Sequence, residues 1–204
     1  QYFEHLVDKS LPADKKTDRL VDLIAQEKGK LITSLPKTGV AILNGDDDRI
    51  WKLNQQTLAR VMSFGKNSGN TLKIVKTSVS EKGFLVHFNY LKRTYSLSFD
   101  KFIFSPQFAY TFTAAVAAGV AMGVPVMEAI RALTDKFRLP PGRLSLIPGI
   151  KNSLIIDSSY NASKQPVLDA LELLNTFGKR RKLAILGDMR ELGDQAQMEH
   201  QEVA

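Results

Sequence analysis

Residues 84–99 read FLVHFNYLKRTYSLSF, and two runs of strict alternation lie within them. Phe84, Val86, Phe88 and Tyr90 occupy every second position, and Tyr95, Leu97 and Phe99 do the same beyond a turn at Lys92-Arg93. Successive side chains of a strand point to opposite faces, so these residues line one face of an antiparallel meander over 71–99. The other face is wet, and His87, with Leu85 and Asn89 on that face, reads as an ordinary surface histidine. Upstream, Val40-Ala41-Ile42-Leu43 is a short apolar run bounded by Gly39 and Asn44-Gly45, the pattern of a fully buried strand. The flanking segments supply helices. Leu20, Leu23 and Ile24 predict a helix over 17–34 ending before Pro36, and Ile50, Leu53, Thr57 and Val61 mark one face of a second.

The same reading extends downstream. From Tyr110 an Ala-rich helix begins, and Pro125 opens another whose apolar face is Val126, Ile130, Leu133 and Phe137. Pro140-Pro141-Gly142 breaks the chain and places a domain boundary there, dividing it into 1–140 and 141–204. Next, Leu154–Ile156 predicts a strand and Pro166–Phe177 a helix with Val167, Leu171 and Leu174 inward. Leu183–Leu186 predicts a second strand. A right-handed crossover makes these strands parallel and brings Asp157–Asn161 and Gly187-Asp188 together at their carboxyl ends, where open α/β sheets bind ligands. The fold class is therefore α/β.

Composition narrows the function classes. With 44% hydrophobic and 24% charged residues, the chain can bury a core. Its longest apolar run, around Phe112–Val126, is too short and too rich in Ala and Gly for a membrane span. Residues 1–20 hold no secretory leader, and the absence of cysteine excludes a disulfide framework and thiolate metal sites and fits the cytoplasm. The net charge of +7 suits an anionic partner such as a nucleotide. Nucleic acid is not expected, because the densest basic run, Lys179–Lys182, lacks interleaved aromatics. The acidic run Asp46-Asp47-Asp48 reads as charge at a helix N-terminus, since three consecutive acids cannot converge on one ion from a single turn. A start at Gln1 and an end at Ala204 within a helical pattern lead us to expect a piece of a longer protein.

Motifs in chain order add a resemblance. Gly187-Asp188-Met189-Arg190-Glu191-Leu192-Gly193 followed by His200 is similar to the GDM-x-ELG…H signature of the D-alanyl-D-alanine-adding branch of the Mur ligase family. Asp157-Ser158-Ser159-Tyr160-Asn161-Ala162-Ser163 resembles its DDSYNAN/S segment, and Pro141-Gly142-Arg143-Leu144 its PGRL junction. Glu27-Lys28-Gly29-Lys30-Leu31 and Gly39–Asp47 resemble its KGE-I…G-x-A-x-x-N-x-DD stretch. The resemblance spans nearly the whole chain. It implies a partial central ATP-binding domain carrying the meander, followed by the beginning of a Rossmann-like C-terminal domain.

The resemblance also implies chemistry: ATP-dependent amide formation joining D-alanyl-D-alanine to UDP-N-acetylmuramoyl-tripeptide through an acyl phosphate, in peptidoglycan precursor synthesis. ATP and Mg2+ are the implied cofactors. Lys28 matches the lysine that the family carbamylates into a metal ligand, with Lys30 a close competitor. His5, in His5-Leu6-Val7, matches the metal-binding histidine, although Lys9–Thr17 looks like an insertion between the two. Arg143 matches the arginine that approaches the nucleotide phosphates. Asp157, Ser158, Tyr160 and Asn161 match nucleotide contacts, with Ser158 standing where the family has its second Asp. Gln107 and Thr111 replace a histidine and the adenine-side asparagine of its H-N-x-x-N pattern. Asp188, Glu191 and His200 are implied at the substrate. No G-x-x-G-K-[ST] phosphate loop occurs in the 204 residues, and in the family it lies upstream of the His5 position. Two other readings stay open: a different ATP-dependent ligase of the superfamily, and a Mur-fold binding protein without catalysis.

Overall fold

The computed structural model describes residues 7, 10, 12–80, 83–100, 104–138, 140–178, 180–190 and 192–203. Helix α1 (Ala13–Thr33) begins just after Pro12, so Ala13–Thr17, which the sequence suggests is inserted, forms its first turn. Strand β1 (Val40–Asn44) follows, with Ala41 and Leu43 buried. Asp47 then caps helix α2 (Asp48–Trp51), its side chain accepting from the backbone N–H of Arg49 and Ile50. With Asp48 in the first turn, these two acids behave as the expected N-terminal charge. Arg49 ties α2 to α1 through Asp22 at 2.7 Å and Asp18 at 3.0 Å.

The predicted second helix is shorter than its apolar spacing suggested. α2 passes into a 3-10 turn over Lys52–Gln56, and Val61 lies in strand β2 (Arg60–Gly65), paired in parallel with Ala41 of β1. The helical spacing of Val61 was fortuitous: a parallel neighbour satisfies the backbone of residues 60–65, and tertiary pairing overrides local period. Strands β3 (Leu72–Ser80), β4 (Gly83–Tyr90) and β5 (Arg93–Phe99) complete a five-stranded sheet ordered β1-β2-β3-β4-β5. The first three strands are parallel and the last two pairings antiparallel. Phe84, Val86 and Phe88 are buried on one face of β4, as their alternation requires. The β4–β5 turn sits one residue earlier than expected: Leu91 and Lys92 carry φ of 48° and 61°.

Helices α3 (Phe108–Ala121) and α4 (Val126–Lys136) cover this face. Phe112 is the keystone, with ring centroids 4.5 Å from Phe99, 4.9 Å from Phe104 and 5.6 Å from Phe84. Ile130 is buried beneath α4, flanked by Val126, Leu133 and Phe137 at the predicted spacing.

The second sheet departs from expectation. Strand β6 (Ser145–Pro148), unseen in the sequence, pairs antiparallel with β7 (Leu154–Asp157). Helix α5 (Lys164–Asn175) follows as predicted, but the buried positions on its inner side are Leu173 and, just beyond it, Phe177. Ala170 joins them against Leu144, Leu146 and Ile156, while Val167, Leu171 and Leu174 are only half-buried. Leu183–Leu186 forms no strand. It has the composition of a buried strand without its neighbours: among the described residues none pairs with it, and Leu183 and Ile185 are 72% and 89% exposed. Helix α6 (Ala196–Val203) ends the described chain. Val79 and Phe108 pack against both apolar clusters and join the two sheets.

Candidate functional site

Three groups of polar side chains stand at loop ends. The first joins the segment 141–143 to the loop after β7. Gly142, at φ 75°, brings its carbonyl to the backbone N–H of Tyr160 at 3.1 Å. A Cβ there would sit 3.0 Å from the Tyr160 nitrogen, so this approach requires glycine. As a result the Arg143 guanidinium lies over the Tyr160 ring, 4.2 Å from its centroid. Among the described residues no carboxylate pairs with Arg143, so its fork of donors remains available to an anion. Asp157 accepts from Ser159 N–H at 3.1 Å. The Ser159 side chain, then its backbone N–H, holds the Asp157 carboxyl below the usual range, and burial and the Gly142 N–H are lesser influences. Ser158 is half-buried in this loop, and Asn161 is exposed at its end.

The second group is built on α6. His200 places Nε2 2.9 Å from Asp188 Oδ1 and 3.1 Å from the Met189 backbone N–H, with Nδ1 2.6 Å from the Ala196 carbonyl. The Ala196 carbonyl requires a proton on Nδ1, which leaves Nε2 free to accept from Met189 in the neutral ring. In the charged ring Nε2–H faces Asp188 instead. An open depression lined by Asp188, Gln197 and His200 lies beside this contact. The structure therefore joins Asp188 to His200, while Glu191 lies outside the described residues.

The third group went unread in the sequence. Asp46, beyond the carboxyl end of β1, accepts four hydrogen bonds: Oδ2 from Lys66 N–H at 2.6 Å and Tyr110 hydroxyl at 2.8 Å, Oδ1 from Asn67 N–H and Asn70 Nδ2, both at 2.9 Å. Burial alone would raise its pKa, but these donors outweigh it and hold the carboxyl below its ordinary value. Tyr110 is pushed the other way, up to about 12, first by burial and then by the bond to Asp46 and its charge. Gly65, at φ 146°, lies so close that a Cβ would run into the Asp46 carboxylate. The only trace in the sequence is Asp46 itself, since its partners come from distant positions.

Other expected residues are not gathered. Lys28 is exposed on α1 with no ion pair among the described residues, while its competitor Lys30 pairs with Glu27. His5 lies outside the described residues. Thr111 is exposed on the first turn of α3. Among the described residues no three His, Asp or Glu side chains converge in a way that would hold a metal ion. None of their helices is long and apolar enough to cross a membrane.

Residues 20–119 match the model of the Mur ligase middle domain, and a curated relative supports the match over most of the chain. That relative, the UDP-N-acetylmuramoyl-tripeptide--D-alanyl-D-alanine ligase of Escherichia coli, is 30% identical over 184 residues. Residues 20–119 belong to the Mur ligase family. The aligned region covers 88% of this chain and 39% of the Escherichia coli Mur ligase, so the chain spans about two fifths of that relative. Among solved structures, MurF from Acinetobacter baumannii superposes with a TM-score of 0.74 at 24% identity, over 88% of this chain and 38% of its own. MurF ligase from Thermotoga maritima, solved in complex with ADP, gives 0.72 at 21% identity over 91% of this chain and 41% of its own. These likenesses bear out the mixed α/β Mur ligase fold, including the five-stranded sheet.

Proposed function

We propose that this chain is part of an ATP-dependent ligase that joins D-alanyl-D-alanine to UDP-N-acetylmuramoyl-tripeptide in the cytoplasm. On this reading residues 1–140 belong to the central domain and 141–204 open the last one. The observation that carries it is Arg143, stacked on Tyr160 beside ionised Asp157, with no carboxylate partner among the described residues. Joined to the similarity to the Escherichia coli ligase, this arrangement suits a nucleotide. Arg143 would grip phosphate oxygens, Asp157 would accept from a ribose hydroxyl, and Tyr160, Ser158, Asn161 and Thr111 would flank the sugar and base. ATP, when bound, would supply the phosphoryl group that lets a tripeptide carboxylate oxygen leave as phosphate when the dipeptide amine forms the amide bond. Arg143 then screens charge at the phosphates, which favours approach of a second anion. Asp188 and His200 would face the acceptor from the α6 side, with Glu191. For Mg2+ the described residues do not assemble a ligand set, and Lys28 and His5 enter only through the family resemblance.

The complete protein tests this reading. Phosphate release from ATP should require both UDP-N-acetylmuramoyl-tripeptide and D-alanyl-D-alanine, and Arg143→Ala should lower it by at least an order of magnitude, the scale of losing one charged contact to a phosphate. Release with a single amino acid in place of the dipeptide would move the chain to another Mur ligase activity. Nucleotide binding without release under any acceptor would favour the non-catalytic binding protein, the reading motivated by Gln107, Thr111 and Ser158.

A further inference from the structure

The first turn of α3 lacks a side-chain cap and is held by contacts to distant parts of the chain. Gln107 at its N-cap is in a helical conformation and makes no capping bond with its side chain, and the first turn holds no acidic residue. Its leading N–H groups are satisfied by short-range carbonyls alone: Phe108 to Ser105, Ala109 to Pro106 and Tyr110 to Gln107. Such a turn is held weakly in orientation. Two long-range contacts replace the missing cap. Phe108 packs against both apolar clusters, on one side that of the five-stranded sheet and on the other that of Leu144, Leu173 and Phe177. Tyr110 reaches the Asp46 carboxylate at 2.8 Å, and the Lys66 ammonium lies 5.5 Å over its ring. Asp46 is itself fastened to the loop after β2 by Lys66, Asn67 and Asn70. One hydroxyl therefore links the carboxyl ends of β1 and β2 to the helix turn that presents Thr111.

We infer that Tyr110 is a positioning residue for the nucleotide: through its bond to Asp46 it fixes the first turn of α3 and thereby sets Thr111 relative to Arg143. This rests on the nucleotide reading above. Tyr110 and Thr111 are adjacent on one helical turn, so any rotation that Tyr110 resists is a displacement of Thr111. Removing the hydroxyl leaves the ring, its packing and the Lys66 contact in place and takes away only the restraint on rotation.

The test is a cycle of Tyr110→Phe, Thr111→Val and the double variant in the complete protein, read by KM for ATP, kcat, KM for the dipeptide, and Kd for ADP by calorimetry. Tyr110→Phe should raise KM for ATP and Kd for ADP three- to tenfold, with kcat within twofold and KM for the dipeptide unchanged. The double variant should be no worse than the more severe single one, because both act on the same contact. Unchanged Kd for ADP overturns the inference. So do multiplicative effects in the double variant, a parallel loss in every parameter with a fall in Tm, or a Tyr110→Phe protein that does not fold, since these assign the bond to stability alone. If the wild type binds ADP but releases no phosphate, the ligase reading fails while the Kd comparison still decides the role of Tyr110.

Discussion

At Asp46 one carboxylate accepts from four donors supplied by four residues. Asparagine at this position keeps the shape but turns one oxygen into a donor that faces another donor. Asp46→Asn should therefore destabilise the protein by about 1–2 kcal/mol near neutral pH, the cost of unsatisfied bonds to a charged group reduced by solvent screening at a half-exposed site. The penalty should depend on pH. Because the folded carboxyl is held below its unfolded value of about 3.9, its stabilisation is complete above that value and is lost as pH falls through the folded one. Urea unfolding of both proteins should show a gap at pH 7 that closes in acid, and a gap that stays constant into acid would rule out the carboxylate as its source. Sequence alone reads Asp46 with Asp47 and Asp48 as helix charge, which fits the latter two. Its real partners lie up to 64 positions away, beyond anything that spacing can reveal. By contrast, Arg143, Asp157 and Tyr160 were legible because motif resemblance names them directly, and the structure brings them into one place.

Elements were legible where a single local signal decided them. The alternation in β4, the Pro125 start of α4 and the Gly39 and Asn44-Gly45 limits of β1 each sit where the residues alone require. Failures occur where pairing decides instead. Val61 joined β2 because β1 lies beside it, β6 formed because β7 offers an edge, and Leu183–Leu186 finds no partner among the described residues despite its apolar run. The β4–β5 turn shows a milder conflict between sequence and geometry. Leu91 and Lys92 both adopt positive φ, as a two-residue turn matched to the strand twist demands, yet neither residue favours it. An Asn-Gly pair accepts that backbone without strain, so Leu91→Asn combined with Lys92→Gly should stabilise the protein by about 1 kcal/mol. Leu91 is 74% exposed, so no core contact is lost. Thermal unfolding would register a higher Tm, and a lower one would mean that the turn residues hold contacts outside the hairpin.

At the scale of the molecule, the two apolar clusters of the described residues meet at a narrow seam. Phe108 and Val79 are the residues that pack against both, and Phe108 is the larger. Its ring also stacks on Phe104 at 4.9 Å, so the seam is tied to the aromatic keystone of the main core. A small sheet of two four-residue strands with one covering helix buries little by itself, and an isolated two-stranded sheet is marginal in water. Its stability should therefore depend on contacts made across the seam. Phe108→Ala removes that contact and leaves a partly buried gap, which should cost about 2–4 kcal/mol, near the lower end for aromatic truncation because the site is only half-buried. The loss should be uneven. Amide exchange in β6, β7 and α5 should accelerate far more than in β3 and β4, whose Phe84, Val86 and Phe88 keep their cover from α3 and α4. Uniform acceleration in both sheets would mean that the clusters unfold as one cooperative unit and that Phe108 is an ordinary core residue. Selective acceleration would make the seam the place where the small sheet, and Arg143 at its entrance, moves against the main one.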